Sequence, residues 1–496
     1  MQHQLNTKNN KAIIFLIILG VLIFSYTATR AYLLSITWDE AYSYLNFVRP
    51  GKLFPEKFDH MSANNHLLNT WLDIFFVKCF GVSEFVLRIP SLIAHLLFLF
   101  YSAKLVLQFQ NRWMVVAAFL ILNFNPYLLD FFSLARGYGL SWGLMMASIY
   151  YLYLFISKEH RTVFAITSLV LSILATLANL VLLNYCLALY AVLSLLMFYP
   201  ILKSKETSTK KIVLFLKNVS IPSILIVGFL GMITPYSLNL KDAGALFWGG
   251  HTGFWTDTIS ETINRNFYDV GFNIMIHWLL KGFMFLVLTA AIGFVGYKQF
   301  KKESNPENMF LGCILLITGF IALISSGLSY FFSTPFLTNR TALFFVVLFN
   351  LLFVFLMNEL SKEKQKIRFA AYMVAFIMFF HFVFSFNLKY VLDWKFDADT
   401  KNIMTDMEKQ IQSQQLQKQV KMGVSGLLMT SVEFYLAIKK NEQLKVEEIN
   451  PLQPDTYDYL YLSASEAKKF QKKNTSTIKI YPYSRTVLLL NLHGGE

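Results

Sequence analysis

Charge is scarce in this chain. Only 15% of its 496 residues are Asp, Glu, Lys or Arg, against about 25% in soluble globular proteins. Cysteine is scarcer: Cys79, Cys186 and Cys313 make an odd number, each in or beside an apolar segment. That pattern excludes a disulfide framework and a cysteine metal site, and leaves packing as their role. There is no P-loop, no internal repeat and no low-complexity tract. What is abundant is apolar: 55% of residues are hydrophobic, 17% are aromatic, and 49 are Phe. The net charge of +14 sits in short connections between apolar runs, which argues against nucleic acid as a partner.

Those runs set the fold class. Eleven stretches are near the ~20 residues a membrane-crossing helix needs: Lys11–Thr29, Phe85–Phe109, Trp113–Phe131, Gly139–Ile156, Thr162–Leu177, Val181–Tyr199, Ile212–Ile233, Asn273–Tyr297, Asn308–Phe331, Thr341–Met357 and Phe369–Leu388. The expected architecture is mainly α, a polytopic transmembrane helical bundle. The fifth and sixth runs nearly touch at Ala178–Leu180 and should form a tight hairpin. The first reads as a retained span, because Arg30 follows it and no small-residue cleavage site does.

Lys8 and Lys11 precede the first span. Alternate connections then carry Arg112; Lys158 and Arg161; Lys203, Lys205, Lys210 and Lys211; Lys298, Lys301 and Lys302; and Lys362, Lys364, Lys366 and Arg368. The positive-inside rule therefore predicts a cytoplasmic N-terminus. It puts loops 30–84 and 235–271, and the tail, outside. The tail differs in composition, with acids and bases near balance. "DTKNIMTDMEKQIQSQQLQKQ" reads as a polar helix, "VKMGVS", "YDYLYLS" and "STIKIYPYS" as strands, and "SVEFYLAIKK" as a helix between the first two strands. The chain thus divides into a membrane domain, 1–388, and a small extracytoplasmic α/β domain, 389–496.

Candidate chemistry starts just after the first span, in "SITWDEAYSYL". Thr37 to Glu40 fits a helix capping box, with Asp39 in the first turn. Both acids could serve only to start a helix. Their place at the membrane surface offers a second reading: a carboxylate there can take a proton from a hydroxyl or amine. His66 in "NNHLLNT", Arg88 in "RIPS", Arg136 and Tyr138 in "ARGYGLS", and Arg340 in "FLTNRTALFF" map to the same face. An interfacial arginine is often an anchor. Several on one face with an acid pair point to an anionic-lipid site. Nothing in the sequence fixes a metal; Asp39 and Glu40 could help ligate Mg2+ or Mn2+, but two adjacent acids are weak grounds for one.

The "WDE", "NNHLLNT", "RIPS" and "ARGYGLS" segments, in that order around the spans, resemble membrane glycosyltransferases of the GT-C superfamily. The resemblance is to the bacterial branch related to protein O-mannosyltransferases and lipid A aminoarabinose transferases, and covers roughly residues 10–200. It implies a GT-C-like fold and a place in the bacterial cytoplasmic membrane. It also implies a polyprenyl-phosphate-linked sugar donor and transfer to a lipid, glycan or protein acceptor on the outer face. Asp39 falls at the catalytic carboxylate of that family. His66 falls where relatives carry His or Lys followed by two prolines, near the donor phosphate; here Leu67 and Leu68 replace the prolines. A sugar on a phosphate has a good leaving group, so one base and cations for the departing phosphate suffice for inverting displacement; glycosidases need a second carboxyl because their leaving group is poor. A transporter or flippase for lipid-linked glycan is the alternative, and a polymerase or ligase of surface glycan is a third reading. Transporters, however, concentrate ionisable groups near the bilayer midplane.

Overall fold

The computed structural model describes residues 2–53, 61–158, 160–203, 207–303, 305–413, 419–439, 443–470 and 475–492. Lys205 and the 414–418 part of the expected polar helix lie outside them. In chain order the helices are α1 (Gln2–Leu33), α2 (Trp38–Ser43), α3 (Leu67–Phe80), α4 (Glu84–Val106), α5 (Arg112–Asn123), α6 (Pro126–Phe132), α7 (Gly137–Ser157), α8 (Thr162–Ala178) and α9 (Leu183–Lys203). They continue with α10 (Ser208–Asp242), α11 (Ser260–Asn266), α12 (Ile274–Phe300), α13 (Pro306–Phe332), α14 (Phe344–Glu363) and α15 (Arg368–Phe384). The C-terminal part adds α16 (Thr400–Ser413), α17 (Gly426–Lys439) and α18 (Ala464–Phe470).

Among the described residues, nine helical stretches are long and apolar enough to cross a membrane, ten if one bent pair counts as a single span. This is a multi-pass membrane protein. Two of the eleven expected spans depart from that form for local reasons. The third breaks into α5 and α6, 64° apart. Asn125 caps α6 by accepting from Tyr127 N at 3.0 Å and Leu128 N at 3.1 Å. Pro126, at the first helical position, has no N–H to continue α5. The fifth, α8, has 17 residues, or about 25 Å of helix, less than the ~30 Å of a hydrocarbon core. Asn179 ends it and caps the next turn, making the expected hairpin with α9.

The C-terminal part is α/β. Its five strands are β1 (Val420–Val424), β2 (Leu444–Glu448), β3 (Tyr459–Ser463), β4 (Thr475–Tyr481) and β5 (Thr486–Asn491), in the order β2-β1-β3-β5-β4. β1 runs parallel to β2 and β3; β5 is antiparallel to β3 and β4. Side chains alternate across the pleat. Leu460 and Leu462 of β3 pack toward α18 with Val487 and Leu489. Tyr459 and Tyr461 face the opposite side with Leu488, where the core includes α16 and α17. That second core does not stop at the tail: Ile36, Ala41 and Tyr44 from the first loop belong to it, beside Met404, Val432 and Phe434. The sheet's helical layer therefore packs directly on α2.

Candidate active site

The sequence "TWDE" starts α2 by local hydrogen bonding. Glu40 N donates to Thr37 Oγ1 at 3.4 Å, and Thr37 N donates to Glu40 Oε2 at 2.9 Å, the two halves of a capping box. Glu40 has a second set of partners. Arg88 reaches it from α4 through Nε–Oε1 and Nη2–Oε2, both 2.8 Å, and Ala135 N donates to Oε1 at 2.6 Å. The other donors of Arg88 go to the Ala31, Leu34 and Ser35 carbonyls at 2.8–3.0 Å. Both side chains are fully buried. All five N–H groups of Arg88 are thus engaged inside the chain, although sequence reasoning grouped it with the anion-binding arginines. The pair ties the first loop, α4 and the turn before α7 together.

Adjacent helical residues point about 100° apart, so Asp39 faces elsewhere. Its Oδ2 lies 3.3 Å from Arg136 Nη2 and 3.2 Å from Arg340 Nη2. Arg136, at the start of α7, also donates to Ser43 Oγ at 3.2 Å and to the Asn64 carbonyl at 3.3 Å. Its Nε is buried without a hydrogen-bond partner among the described residues. Burial lowers the Arg136 pKa, Asp39 opposes that and Arg340 adds to it. Arg340 lies over the Trp394 ring, 4.8 Å from its centroid, and 3.8 Å from Asp393 Oδ2. Asp393 also receives Arg265 at 3.4 Å and the Tyr127 hydroxyl at 2.9 Å. Two carboxylates against three guanidinium groups leave one positive charge in excess.

His66 stands at the start of α3, its ring edge-on to Tyr138 with centroids 5.0 Å apart. It hydrogen-bonds the Ala178 carbonyl, and its Nε2 is buried with no partner among the described residues. Nδ1–H is therefore the donor, which leaves the Nε2 lone pair bare. Burial, and then the charges of Arg136 and Arg340, push its pKa well below 6.5. A neutral ring with a buried, unpartnered nitrogen can accept a hydrogen bond and carries no charge of its own. Glycine is required beside it: a Cβ on Gly137 would lie 1.8 Å from the Ala178 oxygen and 2.6 Å from His66 Cβ. Tyr138 accepts from Arg340, and its ring lies 5.9 Å from the Arg136 guanidinium carbon. Deeper along α3, Asp73 takes Asn69 Nδ2 at 2.7 Å. Burial, then the charge of Glu40, drives its pKa well above the carboxylate range.

The structure thus brings Asp39, Arg136, Tyr138, His66 and Arg340 into one centre and sets Glu40 with Arg88 behind it. Sequence reasoning missed the segment after the last span, "LDWKFDAD". Asp393 and Trp394 hold Arg340. Asp397 Oδ2 accepts Trp38 N, at the first turn of α2, at 2.6 Å. Asp397 is fully buried, and burial raises its pKa well above the usual range. The missed signal was a tryptophan among three acids directly after a span, a counterpart of "TWDE". Arg30 and Asp130 were missed as well. They pair at 2.5 Å, and Asp130 also accepts Tyr268 Oη at 2.8 Å and Leu392 N at 2.9 Å, anchoring the same segment.

The acid pair does not fit a metal. Asp39 sits between two guanidinium groups, and both Glu40 oxygens are taken by Arg88 and backbone N–H groups. No cluster of three or more His, Cys, Asp or Glu side chains with ligand geometry occurs among the described residues.

Fold and site together define a class: a multi-pass helical membrane protein with one carboxylate between two arginines at an end of the bundle, covered by an α/β layer. The fold is similar to that of ArnT from Cupriavidus metallidurans. The crystal structure of that protein in the apo state aligns over 98% of this chain and 99% of the other, with 11% identity and a TM-score of 0.51. Its crystal structure bound to undecaprenyl phosphate aligns over 97% and 98%, with 12% identity and a TM-score of 0.46. No family model and no curated protein matches the chain.

Proposed function

We propose that this chain is a glycosyltransferase of the GT-C type. It moves a sugar from a polyprenyl-phosphate carrier to a lipid, glycan or protein acceptor at the outer face of the bacterial cytoplasmic membrane. The observation that carries the reading is Asp39 at a helix start, held 3.2–3.3 Å from Arg340 and Arg136 in a centre with excess positive charge. The fold shared with ArnT and the motif resemblance support it. On this reading residues 1–388 form the membrane domain, with the N-terminus cytoplasmic, and residues 389–496 the extracytoplasmic domain.

The chemistry follows from the charges. Arg136 and Arg340 take the donor phosphate, for which the guanidinium fork is suited. In doing so they exchange one anion for another, and the Asp39 carboxylate loses its cations. It then accepts the proton of the acceptor hydroxyl or amine as that atom bonds to the anomeric carbon. The bond from that carbon to the phosphate oxygen breaks with its electron pair, and the phosphate leaves with the charge the arginines hold. Displacement from the face opposite the phosphate inverts the anomeric centre. Glu40 and Arg88 keep α2 in place, and Asp397 fixes its first turn from the tail. No step runs through a metal. Mass spectrometry of glycolipids, surface glycans and glycoproteins from a deletion strain tests the proposal. Loss of one sugar residue from otherwise intact glycans is the expected result; loss of a whole glycan with accumulation of its intact lipid-linked form would instead favour a flippase.

A further inference from the structure

We infer that a cavity of about 360 Å3 next to Arg340 binds a sugar ring of the acceptor; the word acceptor rests on the transferase reading, the binding of sugar does not. Phe247, Trp248, Asp257, Glu261, Thr338 and Asn339 line it. Its volume lies at the small end of the roughly 300–1,000 Å3 typical of ligand pockets.

Three observations carry this. The first is continuity with the reaction centre. Asn339 forms part of the wall and accepts Arg265 Nε at 3.0 Å. The next residue, Arg340, pairs with Asp39 at 3.2 Å. One stretch of chain, Thr338 to Arg340, thus joins the cavity wall to the side chain that faces Asp39. The second is charge. Among the described residues of the wall, Asp257 and Glu261 are the charged groups, both acidic. They repel a phosphate, so the donor's anionic end belongs at the arginines and the cavity takes a neutral or amino-bearing polyol. The third is construction. Gly249 has φ +154°, and a Cβ there would stand 2.4 Å from the Phe336 oxygen; a Cβ on Gly250 would stand 2.3 Å from Asp257. Gly250 and Phe336 exchange backbone hydrogen bonds of 2.9 and 2.8 Å, and Asp257 accepts Thr252 N at 2.7 Å and Gly253 N at 3.1 Å. A loop tied down this closely nevertheless presents Phe247 and Trp248 at 72% and 61% exposure. An aromatic face beside carboxylate and amide groups is the surface a pyranose needs, with its C–H face on the ring and its hydroxyls on the polar groups. Anchoring of the two aromatics in the lipid interface is the competing account.

The test is saturation-transfer NMR on the full chain in lipid nanodiscs. The probes are the methyl glycosides of glucose, galactose, mannose and glucosamine, with inorganic phosphate as the anionic control. At least one glycoside should receive saturation at its ring C–H protons. Trp248→Ala and Glu261→Ala should each cut that signal about fivefold or more, Trp248→Phe should keep it, and phosphate binding should be the same in all. Binding of polyprenyl phosphate by the same preparations reports folding and tests the donor half of the transferase reading separately. If no glycoside gives a signal, or if the signal survives both alanine variants, the inference is overturned even where polyprenyl phosphate still binds. Quenching of Trp248 by brominated lipid with no change in sugar signal on its removal would likewise overturn it, in favour of an anchor.

Discussion

Replacing Asp39 with Asn changes one atom and removes a charge from a centre that holds two arginines. At 3.2 and 3.3 Å each ion pair carries a Coulomb energy of about 5 kcal/mol at an effective dielectric of about 20. The variant keeps an oxygen for both guanidinium groups but raises the excess positive charge of the centre from one to two. A donor phosphate then displaces a neutral amide rather than a carboxylate. If only ~1.4 kcal/mol of the released attraction reaches the phosphate, its affinity rises about tenfold. Turnover should move the other way, falling by ~10²–10⁴-fold, the usual contribution of a general base. Purified protein in nanodiscs allows both to be read: equilibrium binding of polyprenyl phosphate, and transfer from a matched donor to acceptor. Near-normal turnover in Asp39→Asn would refute the base assignment. Weaker binding of polyprenyl phosphate would refute the argument that Asp39 competes with the donor for the arginines.

Four further outcomes are expected. Arg136→Ala should weaken donor binding by about 2–5 kcal/mol, the range for removing one member of a buried charge pair, while Arg136→Lys restores function only if a point charge suffices in place of the fork; unchanged donor affinity would remove Arg136 from the anion site. Glu40→Gln strands the fully buried Arg88 and should destabilise the fold by about 3–5 kcal/mol, read as a lower Tm; an unchanged Tm would contradict the structural role assigned to the pair. His66 has a depressed folded pKa, so below about pH 6.5 the unfolded chain binds the additional proton. Stability should therefore fall with decreasing pH by up to ~1.4 kcal/mol per unit from this residue, and Tm measured from pH 7 to 5 should show a shallower slope in His66→Asn. Reporter fusions after Lys302 should report cytoplasm and fusions after Leu388 the exterior; a cytoplasmic tail would separate Asp397 from the compartment assigned to Asp39.

Much of this protein was determined locally. The apolar runs dictate helices because a backbone in hydrocarbon must satisfy its own hydrogen bonds, and each expected span is met by a helix or a broken pair. The capping box at Thr37–Glu40 is equally local, since its four residues supply both donors and acceptors. The tail's β1, β3, β4 and α17 were legible from alternation and turn residues. β2 and β5 were not: "LKVEE" forms an edge strand, and "TVLLLN", buried on both faces, has no alternation to reveal it. The break at Asn125–Pro126 was written in the sequence but hidden by the continuous hydropathy around it. Only the tertiary structure decided how the charges sort. Sequence could place Arg88, Arg136 and Arg340 on one face, but whether an arginine is enclosed by carbonyls or turned toward a carboxylate depends on residues dozens to hundreds of positions away. Arg88 meets the Ala31, Leu34 and Ser35 carbonyls at the end of α1, whereas Arg340 meets Asp39 and Asp393. The same holds for Asp397 at the foot of α2 and for the neutral form of His66. Long-range electrostatics depends on distance and burial, and neither is a property of a residue's neighbours in the chain.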